Sequence, residues 1–316
     1  MSGAPSGLTP ITVSAFPNAK ALPLWAGEET GVFARFGLAL SLDLTPGSDA
    51  QREKLVDGRI QIAQAAVDNG LQLIVEGKDV IIAMGGESGM NDLIVQADVP
   101  SFEGFRGRAL VVDAPNTAYA LLARKLLAGA GLMAGIDYEI KPIGNASMRL
   151  KAMLDDRANA GAVMNPPFSS EARLHGMKSL GRLTDLLGPY QAGGAFLMRD
   201  WALKNSAVLE NYIKAYVTSL RWTLDPANQA RSVDLLMRKL NLPPEVASAA
   251  YKQVIEPGFG FQKDARLDMR GFDNMLATRA ETEGRNPRLD DTTNYIDESW
   301  YRRALLELPT AESALP

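Results

Sequence analysis

The chain has 316 residues, 46% of them hydrophobic and 22% charged, which is enough for two globular domains with real cores. Its formal net charge is -4, with 33 basic residues spread among 37 acidic ones and no sustained basic run, so no nucleic-acid partner is expected. The lack of cysteine excludes disulfides, thiolate metal sites and a cysteine nucleophile, and a single histidine, His175, cannot build a triad or a multi-histidine metal centre.

No apolar run approaches the roughly 20 residues that cross a bilayer. The opening MSGAPSGLTPITVSAF has neither a basic n-region nor an apolar h-region and does not read as a signal peptide. Two compartments stay open: the periplasm, for a mature chain whose leader is absent, or the cytoplasm if the start methionine is native. From Ile11 strand-like and helix-like segments alternate. ITVSAF reads as a strand, LPLWAGEETGVFARFG as one helix closing at Gly37, and LALSLDL as a second strand. GSDAQREKLVDG then supplies a cap and a helix, and IQIAQAA a third strand. This order predicts βαβ units and a mostly parallel sheet, in which ligands bind at the carboxyl ends of the strands.

A second passage repeats this grammar. ASMRLKAMLDDRANAGAVMNPPF, from residue 146, aligns with SDAQREKLVDGRIQIAQAAVDNG, from residue 48, at a constant offset of 98, with Arg59 on Arg157 and Asp57 on Asp155. Read as a domain-level repeat, it sets the loops Val67 to Gly70 and Asn165 to Phe168 facing each other across a cleft; the alternative is that any two βαβ units look alike. Val99 to Leu110 reads as a crossing into a second domain and Gly188 to Ala202 as the return. After Leu203 the pattern is helical and is expected to pack on the first domain, with the last eight residues as a frayed tail. His175, in EARLHGMKS, is expected on a polar helix face or helix end.

The stretch GRALVVDAPNTAYALLARKLLAGAGL carries the most readable strand-to-helix turn. The unpaired N–H groups and partial positive charge at such a helix start can hold an anion, with Asn116 or Thr117 at the join; local capping is the competing use. Other turns supply Phe16, Asn18 and Lys20 after the first strand, or an ordinary loop. Asp68 and Asn69 follow the third strand and can equally be caps. Glu87, Ser88 and Asn91 lie in a glycine-rich turn. Asn165 starts a rigid corner in which Phe168 either stacks on a planar ligand or packs, and Gly193, Gly194 and Phe196 read as hinge or backbone-approach positions. Trp25, Tyr119 and Tyr190 are aromatic walls or core.

In their order and spacing, LPLWAGEETGVFARFGLALSL, LVDGRIQIAQA, FRGRALVV, APNTAYALLARKLLAGAGL and NYIDESWYRRAL resemble the periplasmic substrate-binding proteins of ABC importers of the sulfonate, nitrate and taurine type, which include binders of thiamine-pyrimidine precursors. The resemblance runs from Ile11 to about Leu308. It implies an α/β, two-lobed type II periplasmic-binding-protein fold, each lobe a mostly parallel sheet flanked by helices, with a hinge and a ligand cleft between lobes. Residues 1–98 and 197–316 would form the first lobe and 99–196 the second. It also implies ligand contact at Asn116 and Thr117. The expected ligand set is Phe16, Asn18, Lys20, Asp68, Asn69, Glu87, Ser88, Asn116, Thr117, Asn165, Phe168 and Gly194, with no catalytic residue, metal or cofactor.

Lys20 and the helix start favour an anion while Asp68 and Glu87 oppose a strongly charged one, so a small carboxylate or sulfonate, aromatic or not, is expected ahead of a neutral pyrimidine. The expected role is a monomer that carries a small molecule to a membrane permease. The alternative is an enzyme on the same fold, such as an aromatic-acid decarboxylase, with Glu87, Asp68 and Lys20 as its ionisable groups. A cytoplasmic ligand sensor is a third reading.

Overall fold

The computed structural model describes residues 7–309; the first six residues and nearly all of the expected tail lie outside them. The first βαβ units follow the alternation of the sequence: β1 (Thr9–Ala15), α1 (Leu22–Glu29), α2 (Val32–Arg35), β2 (Leu38–Leu44), α3 (Ser48–Val56), β3 (Ile62–Ala66), α4 (Asp68–Val75) and β4 (Val80–Glu87). The single helix expected up to Gly37 is two. Gly31 adopts φ 69°, in the left-handed region open to glycine, and breaks it after Thr30.

The chain then enters a second sheet through β5 (Asp92–Val95), followed by β6 (Ala109–Val112), α5 (Ala118–Gly129), β7 (Glu139–Pro142), α6 (Ala146–Asp155), β8 (Asn159–Met164), α7 (Phe168–Leu174), β9 (Lys178–Arg182) and α8 (Leu183–Leu187). β10 (Gly193–Met198) returns to the first sheet. Helices α9 (Arg199–Lys204), α10 (Ser206–Leu224), α11 (Gln229–Leu240), α12 (Pro244–Val254), α13 (Met269–Glu283) and α14 (Ser299–Glu307) complete the chain.

The sheet orders are β2-β1-β3-β10-β4 and β7-β6-β8-β5-β9. In the first, β1 runs parallel to β2 and β3 while β10 is antiparallel to its neighbours; in the second, β6 is parallel to β7 and β8 while β5 is antiparallel. Each sheet is thus mostly parallel, and its one reversed strand is the one that has crossed from the other lobe. The two orders match position for position, so the offset of 98 joins topologically equivalent elements, α3 and β3 with α6 and β8. By sheet membership the crossings fall at residues 88–91 and 188–192. Val99 to Leu110 therefore runs within the second lobe.

One apolar cluster fills the space between the first sheet and the C-terminal helices, with Trp25, Tyr212 and Tyr216 buried in it; Tyr190 belongs to another. Trp25 and Tyr190 are core. The C-terminal helices also touch the second lobe: Lys125 of α5 pairs with Glu281 of α13 at 2.8 Å, and Ser170 donates to Gln253 of α12 at 3.3 Å. His175 is exposed at the end of α7. Among the described residues no helix is long and apolar enough to cross a membrane.

Candidate functional site

The carboxyl ends of β1, β3, β4, β6 and β8 meet at one enclosed cleft between the sheets, where open α/β sheets leave backbone groups and helix starts uncovered. Its cavity volume is about 70 Å3, room for a compact ligand, since one water needs roughly 10–15 Å3. Hydrogen bonds from both lobes close the rim. Ala19 N–H donates to the Pro166 carbonyl and Asn145 N–H to the Pro46 carbonyl, each at 3.1 Å.

Lys20 spans the cleft. Its Nζ donates to Glu87 Oε1 at 2.8 Å, the Gly89 carbonyl at 2.9 Å and Tyr119 OH at 2.9 Å, which uses all three ammonium protons. Burial pushes the Lys20 pKa down, but the charges and hydrogen bonds of Glu87 and Tyr119 more than restore it, and the net shift is upward. Glu87 is 3% exposed and its other oxygen accepts from Gly89 N–H. The charge expected to attract an anion is therefore already neutralised.

A second closure joins α3 to the loop after β6. Asp113 accepts from both the backbone N–H and the hydroxyl of Ser48, so a carboxylate from the second lobe occupies the positive start of a first-lobe helix.

The cation without such a partner is Arg149, on α6. It lines the cleft, is 4% exposed, and donates to the Gly144 carbonyl at 2.6 Å and the Val163 carbonyl at 3.1 Å. Among the described residues no carboxylate lies within 4 Å of it. Burial lowers its pKa, opposed by the more distant charge of Asp113 and by Tyr119. A buried guanidinium facing a cavity attracts an acid, because water no longer competes for it.

Of the residues expected from sequence, Phe16, Asn18, Lys20, Asn69, Glu87, Thr117 and Asn165 line the cleft. Asn69 accepts from Arg52 at 2.9 Å, leaving its NH2 group as donor, and Asn18 accepts from Lys20 N–H at 3.0 Å. Thr117 Oγ1 donates to the Ala114 carbonyl at 2.8 Å and makes no side-chain cap, so its oxygen remains an acceptor. Asn165 is 4% exposed and its Oδ1 has no partner among the described residues.

The other five lie elsewhere. Asp68 is buried against Arg279 at 2.9 Å; burial raises its pKa, and Arg279 and Arg52 offset this in part. Ser88 accepts from Gln262 at 3.1 Å and faces a separate outer groove. Asn116 turns toward Arg52 at 3.5 Å, because the turn points its next residue, Thr117, inward. Phe168 packs into the second-lobe core. Gly194 is a close approach, since a Cβ there would lie 2.5 Å from the Met84 carbonyl oxygen.

Arg149, Asp113, Ser48, Gln64, Asn145, Tyr216 and Phe261 also line the cleft but were not singled out in the sequence. The offset of 98 held the signal for Arg149: it aligns the start of α6 with the start of α3, and both starts rim the cleft. Among the described residues no cluster of three or more His, Cys, Asp or Glu side chains is placed to hold a metal.

The sequence model of the NMT1-like family matches residues 4–237. None of the curated proteins compared matches the chain. Among solved structures, the nitrate-binding protein NrtA of Synechocystis PCC 6803 superposes with TM-score 0.78 at 16% identity, over 99% of this chain and 92% of that one. A ligand-binding component of an ABC-type import system from Staphylococcus aureus, with zinc bound, gives TM-score 0.76 at 15% identity over 94% and 99%. The alkanesulfonate-binding protein SsuA of Xanthomonas axonopodis pv. citri, bound to MOPS, gives 0.75 at 15% over 93% and 100%. These likenesses establish the two-lobed fold.

Proposed function

The chain belongs to the NMT1-like family, and we propose that it is the substrate-binding component of an ABC importer, closing its two lobes on a small organic anion and presenting it to a membrane permease. The observation that carries this reading is Arg149, a buried cation facing the enclosed cleft without a carboxylate partner, while Lys20 is spent on Glu87. The ligand is a compact carboxylate or sulfonate, and the other cleft-lining polar groups, Asn18, Asn69, Thr117 and Asn165, select it by hydrogen bonds. The lobes follow the sheets, with residues 88–91 and 188–192 as the hinge. The protein works as a monomer in the periplasm. Support for the transport role comes from the import, nitrate-binding and sulfonate-binding proteins that share the fold.

A decarboxylase on this scaffold would need a free proton donor near the ligand. Asp68 lies outside the cleft, and Lys20 and Glu87 are locked to each other. The test is calorimetry of the full chain with small carboxylates, sulfonates, benzoate and an aminopyrimidine, with each compound assayed for consumption. Saturable one-to-one binding of an unchanged acid is expected. No binding by any acid, or turnover of a bound one, would refute the reading.

A further inference from the structure

The two lobes share one strand order, yet their ligand-facing chemistry is unequal. At the offset of 98, Arg149 corresponds to Gln51 and Asn165 to Val67. Gln51 is fully buried and turns away to Ser14, whose carbonyl and hydroxyl accept its amide at 3.3 and 3.2 Å; Val67 is fully buried and apolar. The start of α3 is satisfied by Asp113 from the other lobe, whereas α6, ten residues long, is capped within its own lobe by Asn145, whose Oδ1 accepts from Met148 N–H at 3.2 Å, and it carries Arg149 at the cleft in its second turn. In the same lobe, two residues after the Val163 carbonyl that Arg149 donates to, Asn165 lines the same cavity with its buried Oδ1 unpartnered. An acceptor left without a donor there is costly, and a ligand N–H or O–H removes that cost.

Resting on the reading of the cleft as an anion site, we propose that the ligand is a polar-substituted acid: its carboxylate or sulfonate is held by Arg149 at the start of α6, and its own N–H or O–H donates to Asn165 Oδ1. Both anchors belong to the second lobe. The ligand therefore loads onto that lobe, and the first lobe closes over it. An acid of the same size without a donor leaves Asn165 unpaired, which makes Asn165 the residue that selects between them.

The experiment is calorimetry of the full chain with matched acids: propanoate against 2-hydroxypropanoate and 3-hydroxypropanoate, and ethanesulfonate against 2-hydroxyethanesulfonate. In any series that binds, a hydroxylated member is expected to bind at least about tenfold more tightly than its plain partner. Asn165→Ala should erase that gap. Arg149→Gln should abolish binding of both, and Arg149→Lys should restore part of it. Thermal unfolding of each variant checks its fold, and the wild-type comparison needs no variant. Equal affinities within every bound series or a gap that survives Asn165→Ala would overturn the proposal while leaving the anion-binding reading intact; unchanged binding by folded Arg149→Gln would overturn the proposal and also remove Arg149 as the support of that reading. If no acid of either series binds the wild type, the proposal falls, and the anion-binding reading falls with it when benzoate and the other acids of the wider panel fail as well.

Discussion

Asp113 of the second lobe closes the start of a first-lobe helix at Ser48, accepting from its backbone N–H at 3.1 Å and from its hydroxyl. The two residues are 65 positions apart, and the helix start they share has no side-chain cap of its own. A carboxylate there satisfies orphan N–H groups and the helix dipole while tying the lobes together. Asp113→Ala is expected to cost about 0.5–2 kcal/mol, the range for losing a helix cap, and to shift the lobes toward an open form. Small-angle scattering should show a larger radius of gyration; a superimposable scattering curve would remove Asp113 from closure.

Lys20 and Glu87 form a buried pair, and removing one partner strands the other. Lys20→Met should cost about 3–5 kcal/mol by leaving Glu87 without its counter-charge. The double variant Lys20→Met with Glu87→Gln should recover at least half of that in denaturant titration, as coupled neighbours do. Additive losses would mean that the pair is not coupled.

The same pair sets an alkaline limit. The folded-state pKa of Lys20 lies above its ordinary 10.5, because Glu87 and Tyr119 outweigh burial. A raised pKa on a cation contributes stability that is fully present below 10.5 and is lost as pH rises through the folded value. The stability difference between wild type and Lys20→Met should therefore hold steady below pH 10.5 and shrink above it. A difference that widens with rising pH would contradict this.

Thr117 and Asn116 are neighbours with different expected outcomes. Thr117 lines the cleft with an oxygen free to accept, so Thr117→Val should weaken ligand binding by about tenfold while costing about 1 kcal/mol of stability for the lost hydroxyl bond to the Ala114 carbonyl, which keeps the Thr117 backbone N–H. Asn116 faces Arg52 outside the cleft, so Asn116→Ala should leave affinity unchanged in the same titration. Equal losses in the two variants would return Asn116 to the site.

Gly193 leaves the space that Glu87 fills. A Cβ at this position would lie 2.7 Å from Glu87 Cγ and 2.8 Å from its Oε1. Gly193→Ala should displace the carboxylate from Lys20 and cost about 1–3 kcal/mol, as overpacking does. An unfolding midpoint equal to the wild type would show that Glu87 can move without penalty.

Local regularities of the sequence determined much of this protein. Alternating patterns read out β1 to β3 and the parallel sheets, the offset of 98 joined equivalent elements of the two lobes, and turns after strands led to Asn18, Asn69, Thr117 and Asn165 at the cleft. Gly31 was the local exception, because a glycine inside a helical pattern does not announce that it will adopt a positive φ. The electrostatics of the cleft were decided only in three dimensions. Lys20 reads as a free cation until Glu87, 67 residues away, is set against it, and Asp113 reads as part of a turn until Ser48 reaches it. Arg149 reads as one basic residue on an amphipathic helix until its burial and lack of a carboxylate are visible. Periodicity records which face of an element is buried, but the pairing of charges depends on distances across the fold, and those exist only once both lobes have formed and closed.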